Sequence, residues 1–262
     1  MYQQQKIGVV IPAYNVEAHL VKTIQELPAM IDRIYVVDDG STDNTTGTIN
    51  NISNKVCLLR HEINKGPGAA MATGYKAALR EKMDIIVKLD GDGQMLPEKI
   101  ESLIAPVVSR QVDYTKGDRL SNHDYRRTMP GFRLFGNLLL TYLTRIASGY
   151  WHVNDTQNGF VAISRRALES IDIETIYPYY GYLNDILVRL NMGGFSVQDV
   201  PMPAKYGAER SSIRLKRFIL KVSFFLLSRF LWRLRVKYLR FTGAWSDKQY
   251  GATSLVEKPE EK

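Results

Sequence analysis

Residues 84–100 read DIIVKLDGDGQMLPEKI. The run from Ile85 to Leu89 is apolar apart from Lys88 and short enough to be a buried strand. Asp90 and Asp92 follow at its exit, with glycines at 91 and 93, and Pro97 suits the first turn of a helix. Two like charges so close repel unless something positive lies near them. The same succession of strand, polar turn and helix occurs three times upstream. KIGVVIPAYN (6–15) precedes a helical pattern from Glu17 to Met30, RIYVVDDGS (33–41) a short helix after Asp43, and VCLLRH (56–61) the helix PGAAMATGYKAALR (67–80). Continuous apolar strands alternating with helices predict an α/β fold with a mostly parallel central sheet covered on both faces. Ligands of such sheets bind beyond the carboxyl ends of the strands.

The second half is less regular. Residues 130–149 have helical amphipathicity, DTQNGFVAIS (155–164) reads as a turn into a strand, GYLNDILVRLNMGG (181–194) as a helix closed by glycine, and FSVQDVPMPAKY (195–206) as extended. The sequence shows no internal repeat.

The 262 residues carry a formal net charge of +8, and the excess is local. Between Glu209 and Asp247 there are ten basic residues and no acidic one; the rest of the chain holds 25 basic and 27 acidic residues. The basic segment, 215–241, interleaves its cations with Phe, Leu and Trp, and its longest uncharged run is the seven residues from Val222 to Ser228. That is far short of the ~20 apolar residues of a spanning helix. One or two helices lying on an anionic membrane surface fit this composition, as does packing on the domain or against a second copy in a homo-oligomer. No nucleic-acid-binding module accompanies the basic run, so nucleic acid is not expected as a partner. Cys57 is the only cysteine, which excludes an intramolecular disulfide. The apolar run before Pro12 is too short for a secretory signal, so a peripheral position on the cytoplasmic side of a membrane is expected. The organisation expected is a domain over 1–214, basic amphipathic helices over 215–245 and a disordered tail over 246–262.

Four strand ends converge on one edge: PAYNVE (12–17), VDDGSTD (37–43), HEINKGPG (61–68) and LDGDGQ (89–94). Asp90 and Asp92 suit a hard divalent cation that also holds a diphosphate, because Mg²⁺ commonly takes one or two carboxylates plus phosphate oxygens. An isolated D-x-D is equally a plain turn. GPGAAM lacks the third glycine of a dinucleotide fingerprint and follows the third strand, and no Gly-Lys-Ser/Thr loop is present.

In order and spacing, VVIPAYNVE, VVDDGSTD, NKGPGAA and KLDGDGQMLPE resemble the nucleotide-sugar half of the family 2 glycosyltransferases of GT-A fold. KGDR (116–119), MPGFRLFGN (129–137), DTQNGFVAIS and AERSSI (208–213) resemble the dolichyl-phosphate mannosyltransferase and polyprenyl-phosphate glycosyltransferase branch. The resemblance implies inverting transfer of a sugar from a UDP- or GDP-linked donor. It implies Pro12, Tyr14, Glu17 and Asp39 at the base and ribose, and Asp90, Asp92 and Gln94 holding Mg²⁺ or Mn²⁺ on the diphosphate. Asp38, by contrast, suits a turn hydrogen bond. The pattern departs at Pro67, where many relatives carry lysine, which leaves Lys65 as a candidate cation for the phosphates.

The acceptor sets the remaining chemistry. A hydroxyl needs a general base, whereas a phosphate monoester is already anionic and needs only positioning. For a polyprenyl phosphate the resemblance assigns that positioning to Arg119, Arg133 and Arg210, since arginine suits bidentate phosphate contact. For a hydroxyl acceptor in surface polysaccharide or glycolipid synthesis, Asp185 is the candidate base; a helix-start carboxylate facing the macrodipole is the alternative. A non-catalytic nucleotide-sugar-binding subunit is the remaining reading.

Overall fold

The computed structural model describes residues 1–49, 52–127, 129–203 and 215–238. The elements run β1 (Ile7–Ala13), α1 (Glu17–Gln25), β2 (Arg33–Asp38), α2 (Thr45–Thr48), β3 (Val56–Arg60), α3 (Pro67–Arg80), β4 (Ile85–Lys88), α4 (Ile100–Val108), β5 (Tyr114–Asp118), α5 (His123–Arg127), α6 (Gly131–Ser148), β6 (Val161–Ser164), α7 (Arg165–Glu169), α8 (Tyr182–Met192), β7 (Val197–Pro201) and α9 (Leu215–Tyr238). A 3-10 turn at Pro97–Lys99 leads into α4.

The sheet has the order β3-β2-β1-β4-β6-β5-β7. The first four strands are parallel, as expected, with Pro12 opposite Val37 and Ala13 opposite Asp38. β6 is antiparallel to both its neighbours, with Lys88 opposite Val161, and β7 adds to β5 in parallel. Because β6 runs backward, the loop that precedes it lies at the same edge as the carboxyl ends of β4 and β5. The turn 155–160 thereby joins the ends of β1, β2, β3 and β4 at the carboxyl edge of the sheet.

Side chains alternate between two buried layers. Val10, Tyr35, Val37 and Ile86 face one cluster with Met71 and Tyr75 of α3 and Leu187 of α8, while Val9, Ile11, Val36 and Val87 face Leu20 of α1 and Leu103 and Ile104 of α4. Burial on both faces is why these strands read as unbroken apolar runs. A third cluster joins Leu140 and Ala147 of α6, Val188 of α8, and Val222 and Leu226 of α9. Each such side chain contributes about 1.5–3 kcal/mol on leaving water, enough to dock the helix. The basic segment is therefore one continuous helix over its described part. The expected tail, 246–262, lies outside the described residues.

Candidate active site

The first two strand ends form a latched pair of loops. Asn15, at φ +54°, accepts hydrogen bonds from Thr42 N and Asp43 N, while Ser41 Oγ accepts from Asn15 N. Glu17 and Asp43 exchange contacts across the gap: Asp43 Oδ2 accepts from Glu17 N, and Glu17 Oε2 accepts from Asn44 N at the start of α2. Burial pushes the Asp43 carboxyl up, but hydrogen bonds from Thr45 and Glu17 outweigh it and hold the pKa below its ordinary value. Tyr14 stands exposed beside this latch. Glu17 is thus committed at least in part to loop geometry. An open cleft of about 650 Å³ is lined by Asn15, Glu17, His19, Asp43 and Asp92. His19 and Asp43 are site-lining residues that sequence reasoning did not select; their closeness in sequence to Glu17 and to the VDDGSTD turn was the available signal.

Asp38 ends β2 as a turn residue, accepting from Ser41 N at 2.9 Å. Asp39 is buried and carries three contacts: His61 Nδ1 at 2.6 Å, Lys65 N at 2.9 Å and Gly66 N at 2.8 Å. His61 Nε2 in turn meets Thr73 Oγ1. Asp39 therefore shapes the NKGPG loop, and both of its carboxylate oxygens already take hydrogen bonds there. The Lys65 side chain is exposed. The amides of Gly68 and Ala69, which open α3, both donate to Pro178 O, at 2.7 and 3.1 Å. A Cβ at Gly68 would fall 2.0 Å from Tyr177 O, so only glycine permits this approach.

Asp90 and Asp92 sit at the mouth of β4, both partly exposed. Asp92 Oδ1 accepts from Gln94 N, which tightens the turn around Gly93. The positive partner of Asp90 is Lys88, buried to 3% exposure, whose Nζ lies 2.5 Å from Asp90 Oδ1. Lys88 escaped the sequence reading because it stands inside an apolar strand. Tyr180 keeps half its surface in solvent while its hydroxyl end is desolvated; burial raises its pKa, and the charges of Asp90 and Asp92 add to the rise. Among the described residues no three His, Cys, Asp or Glu side chains gather as a metal cage. Two hard oxygen donors two residues apart, both partly exposed and Asp92 lining the cleft, fit a divalent cation that completes its shell with phosphate oxygens.

The second half contributes a buried charged cluster. Arg119, from the KGDR motif, forms a bidentate pair with Asp155, Nε to Oδ2 at 2.6 Å and Nη2 to Oδ1 at 3.0 Å. Burial and then the Arg119 charge act on Asp155 in opposite directions, and the net effect holds its carboxyl below the ordinary range. Lys116 is fully buried and donates to Asn158 O; burial pulls its pKa down to about 7 against the attraction of Asp155 and Asp199. Burial pushes Asp199 up to about 6. Arg119 thus reaches the site edge already engaged with Asp155, and an acceptor phosphate would share it with that carboxylate.

Asp185, the candidate base for a hydroxyl acceptor, lies inside the fold. It is fully buried at the start of α8, 3.1 Å from Arg189 Nε and 3.0 Å from Arg229 Nε, and it accepts from Tyr177 N. The Arg229 contact is a close approach of charges without hydrogen-bond alignment. Two guanidinium groups compensate its charge inside the fold, an arrangement that favours the structural alternative for this helix-start carboxylate. Arg133 belongs to the first turn of α6, and Arg210 lies outside the described residues.

A parallel sheet with one reversed strand, and a pair of aspartates at the fourth strand exit, define a GT-A-type nucleotide-sugar domain. The chain belongs to glycosyl transferase family 2, whose family model matches residues 8–172. The UDP-N-acetylglucosamine–dolichyl-phosphate N-acetylglucosaminyltransferase of Methanococcus voltae is 33% identical over 216 residues, which cover 76% of this chain and 86% of that protein. The polyprenol monophosphomannose synthase of Mycolicibacterium smegmatis is 28% identical over 212 residues, 76% of this chain and 77% of that one. Among solved structures, the Mycobacterium tuberculosis glucosyl-3-phosphoglycerate synthase in complex with Mn²⁺, UDP and phosphoglyceric acid shares the fold with a TM-score of 0.66. It is 20% identical, over 87% of this chain and 79% of that one.

Proposed function

We propose that this glycosyltransferase moves a sugar from a nucleoside diphosphate donor to a polyprenyl phosphate at a membrane surface. The observation that carries the reading is the Asp90–Asp92 pair at the exit of β4 together with three second-half carboxylates, Asp118, Asp155 and Asp185, that are engaged within the fold. Asp155 holds Arg119, Asp185 is enclosed by two arginines, and Asp118 accepts from Leu120 N and Ser121 N. An acceptor that needs no deprotonation suits such a site, and a phosphate monoester is one. The names of the M. voltae and M. smegmatis relatives point to the same acceptor class.

In the reaction, a phosphate oxygen of the acceptor forms a bond to the anomeric carbon from the face opposite the donor diphosphate. The carbon–oxygen bond to the diphosphate breaks, its electron pair leaves with the nucleoside diphosphate, and the configuration inverts. Asp90 and Asp92, with Gln94 beside them, would hold Mg²⁺ or Mn²⁺, which when bound offsets charge on the leaving diphosphate. Tyr14 and the latched loops would border the nucleoside. Arg119, Arg133 and Arg210 would orient the acceptor phosphate, and Lys65 would reach the donor phosphates.

The membrane placement rests on α9 and α6. Leu220, Phe224, Leu227 and Leu231 recur at helical spacing on α9 and are 72%, 60%, 53% and 56% exposed; Phe135, Leu138 and Tyr142 do the same on α6. With ten cations and no anion between Glu209 and Asp247, an anionic lipid surface is the complementary partner. No helix among the described residues is long and apolar enough to cross a membrane, so the attachment proposed is peripheral.

The test is mass spectrometry of lipid products after incubation with Mg²⁺ or Mn²⁺, a short polyprenyl phosphate and a panel of UDP- and GDP-sugars. A lipid heavier by one sugar, reduced about 100-fold or more by Asp92→Asn, is expected. Donor consumption without a lipid product would replace this reading with a hydroxyl acceptor. Flotation with anionic vesicles, lost at high salt, tests the surface attachment.

A further inference from the structure

The helix α9 holds the segment that leads into α8 through two residues of its inner face. Phe225 stacks on Tyr177, with ring centroids 4.2 Å apart and planes 28° from parallel. One turn later, Arg229 places its guanidinium carbon 5.2 Å from the Phe225 ring centre and its Nε 3.0 Å from Asp185. Asp185 accepts from Tyr177 N, so both contacts of α9 converge on the start of one segment. From there the chain continues to Pro178, whose carbonyl takes the first amides of α3, and on into the start of α8 at Tyr182. Arg189 fastens the upstream end by donating to Thr175 O, and Asn184 meets Gln157 from the loop before β6.

We infer that α9 is a strut for the active site, with Phe225 and Arg229 as positioning residues that hold segment 175–185 against the start of α3 and the loop before β6. The inference rests on the glycosyl-transfer reading only for its consequence in turnover. Its structural content is the chain of contacts from Arg229 through Asp185 and Tyr177 to the Gly68 and Ala69 amides. Burial gives those contacts leverage, since Asp185 and Arg229 lie out of water and removing either partner leaves a desolvated charge. A lipid or protein that engages the outer face of α9 would then act directly on the geometry of the donor edge.

The full-length protein carrying Arg229→Met or Phe225→Leu, with Val222→Ala as the comparison, tests this. Val222 packs α9 in the third cluster, which contains no residue of segment 175–185. Hydrogen exchange is followed by mass spectrometry over residues 66–72, together with kcat/KM at a temperature where all variants are folded. Both strut variants are expected to lose amide protection at Gly68 and Ala69 by tenfold or more and to lose about tenfold in kcat/KM. Val222→Ala is expected to lower Tm while leaving both readings unchanged. If Arg229→Met does not fold, Phe225→Leu carries the test. Unchanged exchange in the strut variants, equal loss in Val222→Ala, or altered exchange without altered kcat/KM overturns the inference. The exchange arm needs no substrate, so absence of a lipid product in the wild type would count against the proposed acceptor and not against the strut.

Discussion

Lys88 Nζ lies 2.5 Å from Asp90 Oδ1, and the space it occupies exists because residue 159 has no side chain. A Cβ at Gly159 would come 2.2 Å from Lys88 Nζ and 3.1 Å from Asp90 Oδ2. Gly159→Ala is therefore expected to displace the ammonium, turn Asp90 and lower kcat/KM about tenfold or more while the protein stays folded. Turnover and Mn²⁺ titration check this together. Wild-type values in both would mean that the Lys88 seat has no bearing on the site.

Asp39 stabilises its loop by accepting from two loop amides and meeting His61. Asp39→Ala removes the partner of His61 Nδ1 and of Lys65 N and leaves Gly66 N with Asn64 Oδ1 alone. At roughly 1–3 kcal/mol for an unsatisfied buried group, with partial relief by water, a loss of about 3 kcal/mol is expected in urea unfolding. The KM for the donor should rise as the NKGPG loop loosens. A stability loss below about 0.5 kcal/mol would contradict the assignment.

Asp185→Asn separates a structural carboxylate from a base. Leaving Arg189 and Arg229 without their anion should cost about 3–5 kcal/mol. Molecules that remain folded should show a pH–rate profile of unchanged shape. Full stability with abolished turnover would restore Asp185 as the base.

Lys116 gives stability a pH dependence of defined sign. Folded Lys116 releases its proton near pH 7, whereas the unfolded side chain keeps it to about 10.5. Between these values the unfolded state binds more protons, so stability rises with pH; the contribution is complete above the unfolded pKa and is lost as pH falls through 7. Relative to Lys116→Met, which cannot titrate, the wild type should gain up to about 1.4 kcal/mol per pH unit between pH 7 and 9. Urea midpoints at three pH values measure it, and parallel curves for the two proteins would refute it.

The sequence by itself determined the first four strands, their helices and the shared edge where Asp90 and Asp92 stand. That information is local: an apolar run buried on both faces, a polar exit and a proline or glycine at the turn lie within about fifteen consecutive residues. It also determined the family, through four ordered motifs. Tertiary structure alone decided which charges face solvent and which are spent inside. The insertion of β6 backward between β4 and β5 brought Asp155 to Arg119, 36 residues away in sequence, and the docking of α9 brought Arg229 to Asp185, 44 residues away. Lys88 looked like an ordinary strand residue until Asp90 and Gly159 surrounded it. A carboxylate's chemistry is set by desolvation and by its nearest cation, and in this fold the cations for Asp155 and Asp185 come from distant segments.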